Sequence, residues 1–430
     1  MALAQARADA LAARIASLSM DPAGWAAPAR AAALARLSAM GLPGRRDEYW
    51  RYTDPAALNA PAVAPAALFD QSDEAAMFAG IDRLRLVFVD GVFDPAQSDD
   101  PSEAGLEIER LAVARGAHIH WAQGLYGVLE ARGQTPVPRP FAALNTAFAA
   151  DGVLIRATGR AARPVSLVYL HESGVSEAIL HHCVKVEAGA EVTILENGPA
   201  AARLSHVMEV EVAEGGRFHH VRAQGRDHEC RAITHVFARI AAGAAFRSFT
   251  VTANGRLTRN EAVLELAGNG AIAHVAGAAM GDGDFLHDDT VFVTHAAEGC
   301  ESRQVFKKVL KNGAVGVFQG KILVKQGAQK TDGYQISQSL LLDEDSQFLA
   351  KPELEIYADD VKCSHGSTSG AIDPLALYYL RSRGVPEAQA QGLLVLAFLA
   401  EALDEIADPR LAEDIRRRLE NWLTRHSGTR

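Results

Sequence analysis

Between residues 164 and 365 the chain repeats one unit, a Gly-containing turn closed by a hydrophobe, and this restricts the possible folds more than any other feature. The unit recurs at 187–192, 213–218, 241–246 and 267–272, and its closing residues Val192, Phe218, Phe246 and Ile272 lie 26, 28 and 26 residues apart. Before each turn comes a stretch of period-two alternation, at 183–186, 207–212, 236–240 and 263–266, which is the signature of a strand with two unlike faces. Two or three short strands per repeat of about this length point to a β-solenoid, whose coils bury side chains only by stacking on their neighbours. A sandwich or barrel with Greek-key connections also spaces short strands evenly and is the competing architecture. No six-residue apolar repeat supports a left-handed hexapeptide helix. The period blurs at Asn312-Gly-Ala-Val315 and Asp345-Ser-Gln-Phe348, where irregular coils or insertions are expected.

Helical patterns flank the repeat. Leu11, Ile15, Leu18, Leu34, Leu37 and Met40 fall at spacings of three and four, and Pro22 and Pro28 interrupt them, which predicts two amphipathic helices over 4–40. Alternation starts at Leu84 and reaches the turn pair Asp90-Gly91, hairpin chemistry. A helical interlude is expected over 121–150, with Trp121, Leu125, Val128 and Leu129 on one face and Pro136, Pro138 and Pro140 ending it. After Gly370, Asp373-Pro374 reads as an N-cap followed by Pro at the first helical position, and Gly384 as a C-terminal stop. Two more helices follow, 387–406 and one opened by Asp408-Pro409. The expected domains are an N-terminal helical segment 1–83, a β core 84–370 containing the interlude, and a C-terminal helical segment 371–430.

Composition narrows the function classes. Forty-eight per cent hydrophobic residues and 22% charged ones describe a globular chain, and a net charge of −10 lacks the basic footprint of a nucleic-acid binder. The longest apolar run, 393–400, is far short of a membrane span. Arg7, Asp9, Arg14 and Asp21 break up any secretory core near the start. Four cysteines with gaps of 47, 70 and 63 residues form neither a disulfide framework nor a C-x-x-C pair, so a cytoplasmic location is expected.

Two nucleotide-site lookalikes fail on detail. Gly316-Val-Phe-Gln-Gly-Lys321-Ile has its glycines one place too close for a P-loop and Ile322 where Ser or Thr must hold magnesium, so it reads as a coil turn. Gly268-Asn-Gly-Ala-Ile-Ala273 has dinucleotide-fingerprint spacing but no helix after it. The doublets His181-His182 and His219-His220 put adjacent rings on opposite strand faces, and most of the 15 histidines read as surface or hydrogen-bonded coil residues. Cys183, Cys230 and Cys300 sit in apolar context and read as buried, inert thiols. Cys363-Ser-His365 differs: thiol and imidazole share one strand face at the end of the last alternating strand, 354–361, with Asp359 and Asp360 nearby. Sulfur with nitrogen suits iron or an iron–sulfur fragment, but two ligands do not close a site. Three readings stay open: ligands completed by another chain, a thiolate activated by the imidazole, or a structural pair.

Several long segments belong together: Gln304-Val-Phe-Lys307-Lys, Gly316-Val-Phe-Gln-Gly-Lys321-Ile, Gln329-Lys-Thr-Asp332, Gln335-Ile-Ser-Gln338-Ser-Leu-Leu-Leu, Lys351-Pro-Glu-Leu-Glu-Ile356, Asp360-Val-Lys-Cys363-Ser-His365-Gly366 and, near the start, Pro43-Gly-Arg-Arg-Asp-Glu48-Tyr-Trp50-Arg-Tyr52-Thr53. Taken in order, they resemble the core signature of the SufB/SufD family of the SUF iron–sulfur cluster assembly machinery. Within the family the chain is more similar to the SufD branch, being short and without a Cys-rich amino-terminal segment. The resemblance implies a right-handed parallel β-helix flanked by helical domains. It also implies a non-catalytic scaffold subunit that pairs with SufB and carries the ATPase SufC. On that resemblance Cys363 and His365 match positions that face SufB and handle iron or a nascent cluster held transiently at the shared interface, none being bound by this chain alone. The helix after Asp373, with Pro374, Leu375, Tyr378, Tyr379 and Leu380, matches the region that docks SufC. The isolated chain is expected to self-pair through its last strand. The alternatives are a purely structural adaptor without metal contact and a carbohydrate-acting β-helix enzyme.

Overall fold

The computed structural model describes residues 2–68, 76–198, 200–225 and 229–426; the outer limits of the two helical segments, 1 and 430, lie outside them. From Val153–Ala157 to Lys362–Gly370, strands pair in parallel with the strand two places along the chain. Consecutive strands therefore fall alternately into a nine-stranded and a ten-stranded sheet. This is a parallel β-solenoid, and its parallel ladders exclude the Greek-key alternative.

Register explains the repeat. Val192 stands beside Phe218 and Phe218 beside Phe246, whose rings stack at 5.1 Å inside the solenoid. Gly215 and Gly243, at φ +66° and +61°, make the tight turns just before Phe218 and Phe246. Ile272 breaks the pattern: the turn 267–271 is longer than 241–244, so Ala273 takes the inward place beside Phe246 and Ile272 pairs with Ala245. Beyond that point the period does not blur; it lengthens. Val315 pairs with Leu286 and then with Gln347, the longer interval coming from the turns 325–331 and 342–346, and every ladder stays regular.

The interior is filled by side chains such as Val184, Val210, Ile240 and Leu266. Both outer faces are covered. Helices Ala27–Met40 and Pro140–Phe148 pack on the nine-stranded sheet through Leu37, Phe141 and Leu144 against Cys183, Val207, Ile233 and Phe237. Pro28 and Pro140 lie in the first turns of these helices, so both start a helix instead of interrupting or ending one, as a residue without an N–H does most cheaply. Val128, expected on the buried face of the interlude, is exposed, while Leu125 and Leu129 are buried. On the ten-stranded sheet, helices Glu387–Leu403 and Pro409–His426 bury Val395, Leu399, Ile415, Leu419 and Trp422 against Val221, Phe249, Val251 and Val305.

The two ends of the solenoid differ. At the amino end the first strands are finished by short antiparallel partners: Val92–Asp94 folds back on Leu84–Val89 through Asp90-Gly91, and Glu107–Arg110 lies on Val153–Ala157. At the other end Gln347–Ile356 and Lys362–Gly370 are the outermost strands of their sheets among the described residues. No helix among the described residues is long and apolar enough to cross a membrane.

Candidate functional site

Contrary to expectation, Cys363 and His365 do not close the last alternating strand; that strand ends at Ile356, the chain turns over 357–361, and the two residues lie in the following strand, Lys362–Gly370. Pairing with Asp332–Leu341 sets Cys363 beside Gly333, His365 beside Gln335, Ser367 beside Ser337 and Ser369 beside Ser339. Gln335 is fully buried and donates to Gln304 Oε1 at 2.8 Å, so this row faces the solenoid interior. Cys363 is half-buried against Ile322, Val324 and Ala358, whereas His365, one rung on, is exposed. A side chain at Gly333 would come within 3.2 Å of Cys363 Sγ, a tight contact that the glycine avoids. Burial pushes the Cys363 thiol up, and the charge of Asp332 pushes it the same way against a backbone hydrogen bond from Gly333. Asp360 is used in the turn: its N–H donates to Gln329 Oε1 and its carbonyl accepts from Lys330.

Three residues after this strand, helix Pro374–Ser382 begins, capped by Asp373 Oδ1 accepting the Leu375 N–H at 2.8 Å. It buries none of its residues. Leu375, Tyr378 and Tyr379 are 77%, 71% and 56% exposed, and Pro374 is exposed beside them, while Leu380 is half-buried. Leu375, Tyr378 and Tyr379 thus leave an apolar surface facing solvent.

The segment 43–53 is a strap across successive coils, from strand Leu257–Leu266 in the middle to Gln347–Ile356 at the end. Arg259 and Gln319 both donate to the Tyr49 carbonyl, Thr53 Oγ1 donates to Asp288, Tyr49 OH donates to Glu353, and Lys351 reaches Glu48. Beneath it, Arg259 bridges Glu261 and Asp288 in a fully buried cluster. The P-loop lookalike lies within strand Val315–Val324 and is not a turn; a side chain at Gly320 would collide with Gln335.

Histidines depart most from expectation. His181, His182, His206, His220, His235, His274, His287 and His295 are all buried, several in polar clusters. In one, Glu196 holds His206, His220 and Arg222, and in another Lys308 joins His287 to Asp289. Cys183, Cys230 and Cys300 are buried, as expected. Cys183, however, is not isolated: on the outer face of the nine-stranded sheet, His181, Cys183 and Glu209 bring their ligand atoms within 4.8 Å of one another. Burial pushes Glu209 up to about 8 despite backbone hydrogen bonds from Gly127, Leu129 and Glu130, and pushes His181 down to about 3. The signal was in the sequence. His181 and Cys183 are an i, i+2 pair, and the period of the repeat places Glu209 directly beside Cys183.

Residues 169–398 match the family described as the SufBD core domain of SUF system FeS cluster assembly. Over its length the chain is 29% identical to the iron–sulfur cluster assembly protein SufD of Escherichia coli (strain K12), covering 90% of each chain. It is 29% identical to the SufBD family protein slr0076 of Synechocystis, covering 86% of this chain and 85% of that one. It is 29% identical to the SufD protein of Bacillus subtilis (strain 168), over 56% of this chain and 57% of the relative.

Proposed function

This chain belongs to the SufBD family of the SUF iron–sulfur cluster assembly system, and from that premise we propose that it is a SufD-like, non-catalytic scaffold subunit whose open carboxy-terminal coil pairs with SufB. The observation that carries this reading is the last strand, Lys362–Gly370, which presents an inward row of Cys363, His365, Ser367 and Ser369 with no further coil of this chain beside it among the described residues. An uncovered long edge is a template for a partner strand. The thiol and imidazole on it supply two of the roughly four protein ligands that an iron–sulfur cluster needs, so the nascent cluster is cargo held between two chains. Helix Pro374–Ser382 is then the docking element for SufC, which would supply ATP hydrolysis.

In the assembled complex, Cys363→Ser and His365→Ala should each lower cluster content after anaerobic reconstitution with iron and sulfide, with assembly and ATP hydrolysis retained. The unmutated chain alone should take up little iron. Wild-type cluster content in both variants would leave the adaptor reading in place.

A further inference from the structure

We propose that His181, Cys183 and Glu209 form a resident site for a borderline-soft divalent cation of the Zn2+ class, separate from the terminal strand and built into the seam between the solenoid and its covering helices. All three side chains are fully buried, and each comes from a regular strand: His181 and Cys183 from Glu177–Val186, Glu209 from Arg203–Val212.

Hydrogen bonding around His181 leaves two acceptors facing one another. The Asn145 amide nitrogen lies 3.1 Å from the Leu180 carbonyl and 3.0 Å from the Ser205 carbonyl, which uses both of its protons and fixes the amide orientation. Its oxygen therefore faces His181 Nδ1, 3.1 Å away, and Nδ1 must be the ring nitrogen that carries the hydrogen. Nε2 is left with a bare lone pair, and it points at Glu209 Oε2 at 3.3 Å. That carboxylate already accepts the Gly127 and Glu130 N–H groups at 2.6 Å each. Two acceptors facing one another need a shared proton or a cation between them, and the Cys183 sulfur flanks the same space.

The geometry suits the cation. Tetrahedral bonds of about 2.0–2.3 Å to nitrogen, oxygen and sulfur put ligand atoms about 3.3–3.8 Å apart, and the Nε2 to Oε2 separation is at that spacing. Sulfur with imidazole and carboxylate is a ligand set for zinc or ferrous iron, and not for magnesium or calcium. A ligating histidine that donates its other N–H to a fixed oxygen, as His181 does to Asn145, is the usual support around such ions. Tyr126 packs over the His181 ring at 4.2 Å and helps fix its orientation.

The test uses the full chain carrying Cys363→Ser, so that the exposed thiol cannot contribute, titrated with Co2+ as a spectroscopic probe and with Zn2+ in competition. Stoichiometric uptake with a thiolate-to-cobalt charge-transfer band, displaced by Zn2+, is expected. Adding Cys183→Ser should abolish the band, and Glu209→Gln should weaken Co2+ binding at least about tenfold. No band, or a band that survives Cys183→Ser, would overturn the proposal and leave a shared proton in the gap. Should either variant fail to fold, X-ray absorption of the cobalt-loaded Cys363→Ser chain decides: one sulfur with nitrogen and oxygen neighbours supports the site, and nitrogen and oxygen alone contradicts it.

Discussion

The middle coils and the last coil are built on one register, yet they treat their polar groups in opposite ways. In the middle, Gln304 receives Gln335, Lys308 joins His287 to Asp289, and Glu196 holds two histidines and an arginine, all buried. On the last coil the next rungs of the same ladders, His365, Ser367 and Ser369, have a strand neighbour on one side only among the described residues and are exposed. The amino end shows that this chain can finish a sheet, since short antiparallel strands do so there. The proposed pairing would place a partner strand beside this open end, and so give it what the middle coils give one another: one more coil.

Acid offers the largest contrast. Burial holds His287 at about 3 and His235 and His295 at about 4, with Asp289 and Glu261 partly opposing it at the first two. These folded-state values lie below the ordinary histidine value of about 6.5. The unfolded chain therefore binds more protons between about pH 6.5 and 4, and stability present above that window falls as pH drops through it. Urea midpoints should decline steeply there. A flat profile would mean that the middle coils are not held by neutral, buried rings.

Next in size is the buried cluster under the strap. Arg259→Ala strips Asp288 and Glu261 of their guanidinium partner and should cost about 3–5 kcal/mol in urea unfolding, whereas Ser369→Ala on the open strand should change stability by less than about 0.5 kcal/mol. Comparable losses in the two variants would break the contrast between middle and end. Smaller still in stability, but not in binding, is the effect at the exposed helix. Leu375→Asp combined with Tyr378→Asp should abolish co-purification with SufC and leave the melting temperature nearly unchanged, because neither side chain is buried in this chain. Retained SufC at normal stoichiometry would move the docking surface elsewhere.

Much of this contrast was legible in the sequence. The glycine turns and period-two strands gave the solenoid, because each coil must make the same tight turn and bury the same face. Asp373-Pro374 gave the start of the exposed helix, and the i, i+2 spacing placed Cys363 and His365 on one face. What could not be read were lengths and partners. One added turn residue moved the inward position from Ile272 to Ala273, and the longer turns at 325–331 and 342–346 hid a period that the ladders keep. Pro28 and Pro140 look like breaks in a linear reading and are helix starts in three dimensions. Polar residues at strand positions read as solvent-facing, and here eight histidines are buried, because stacked coils bring them partners that are distant in the sequence, as Glu209 for His181 and Glu261 for His235. The strap at 43–53 shows the same limit: Tyr49 meets Arg259, Gln319 and Glu353 only once the coils have stacked.

The central claim is that the open coil is the site of pairing, and amide hydrogen exchange on the isolated chain and on its complex with SufB tests it most directly. Strand Lys362–Gly370 should exchange faster than the middle strands in the isolated chain at low concentration and become protected in the complex, with Val92–Asp94 and Glu107–Arg110 unchanged by binding. Protection that appears at the amino end instead, or a terminal strand that exchanges equally fast in both states, would contradict it.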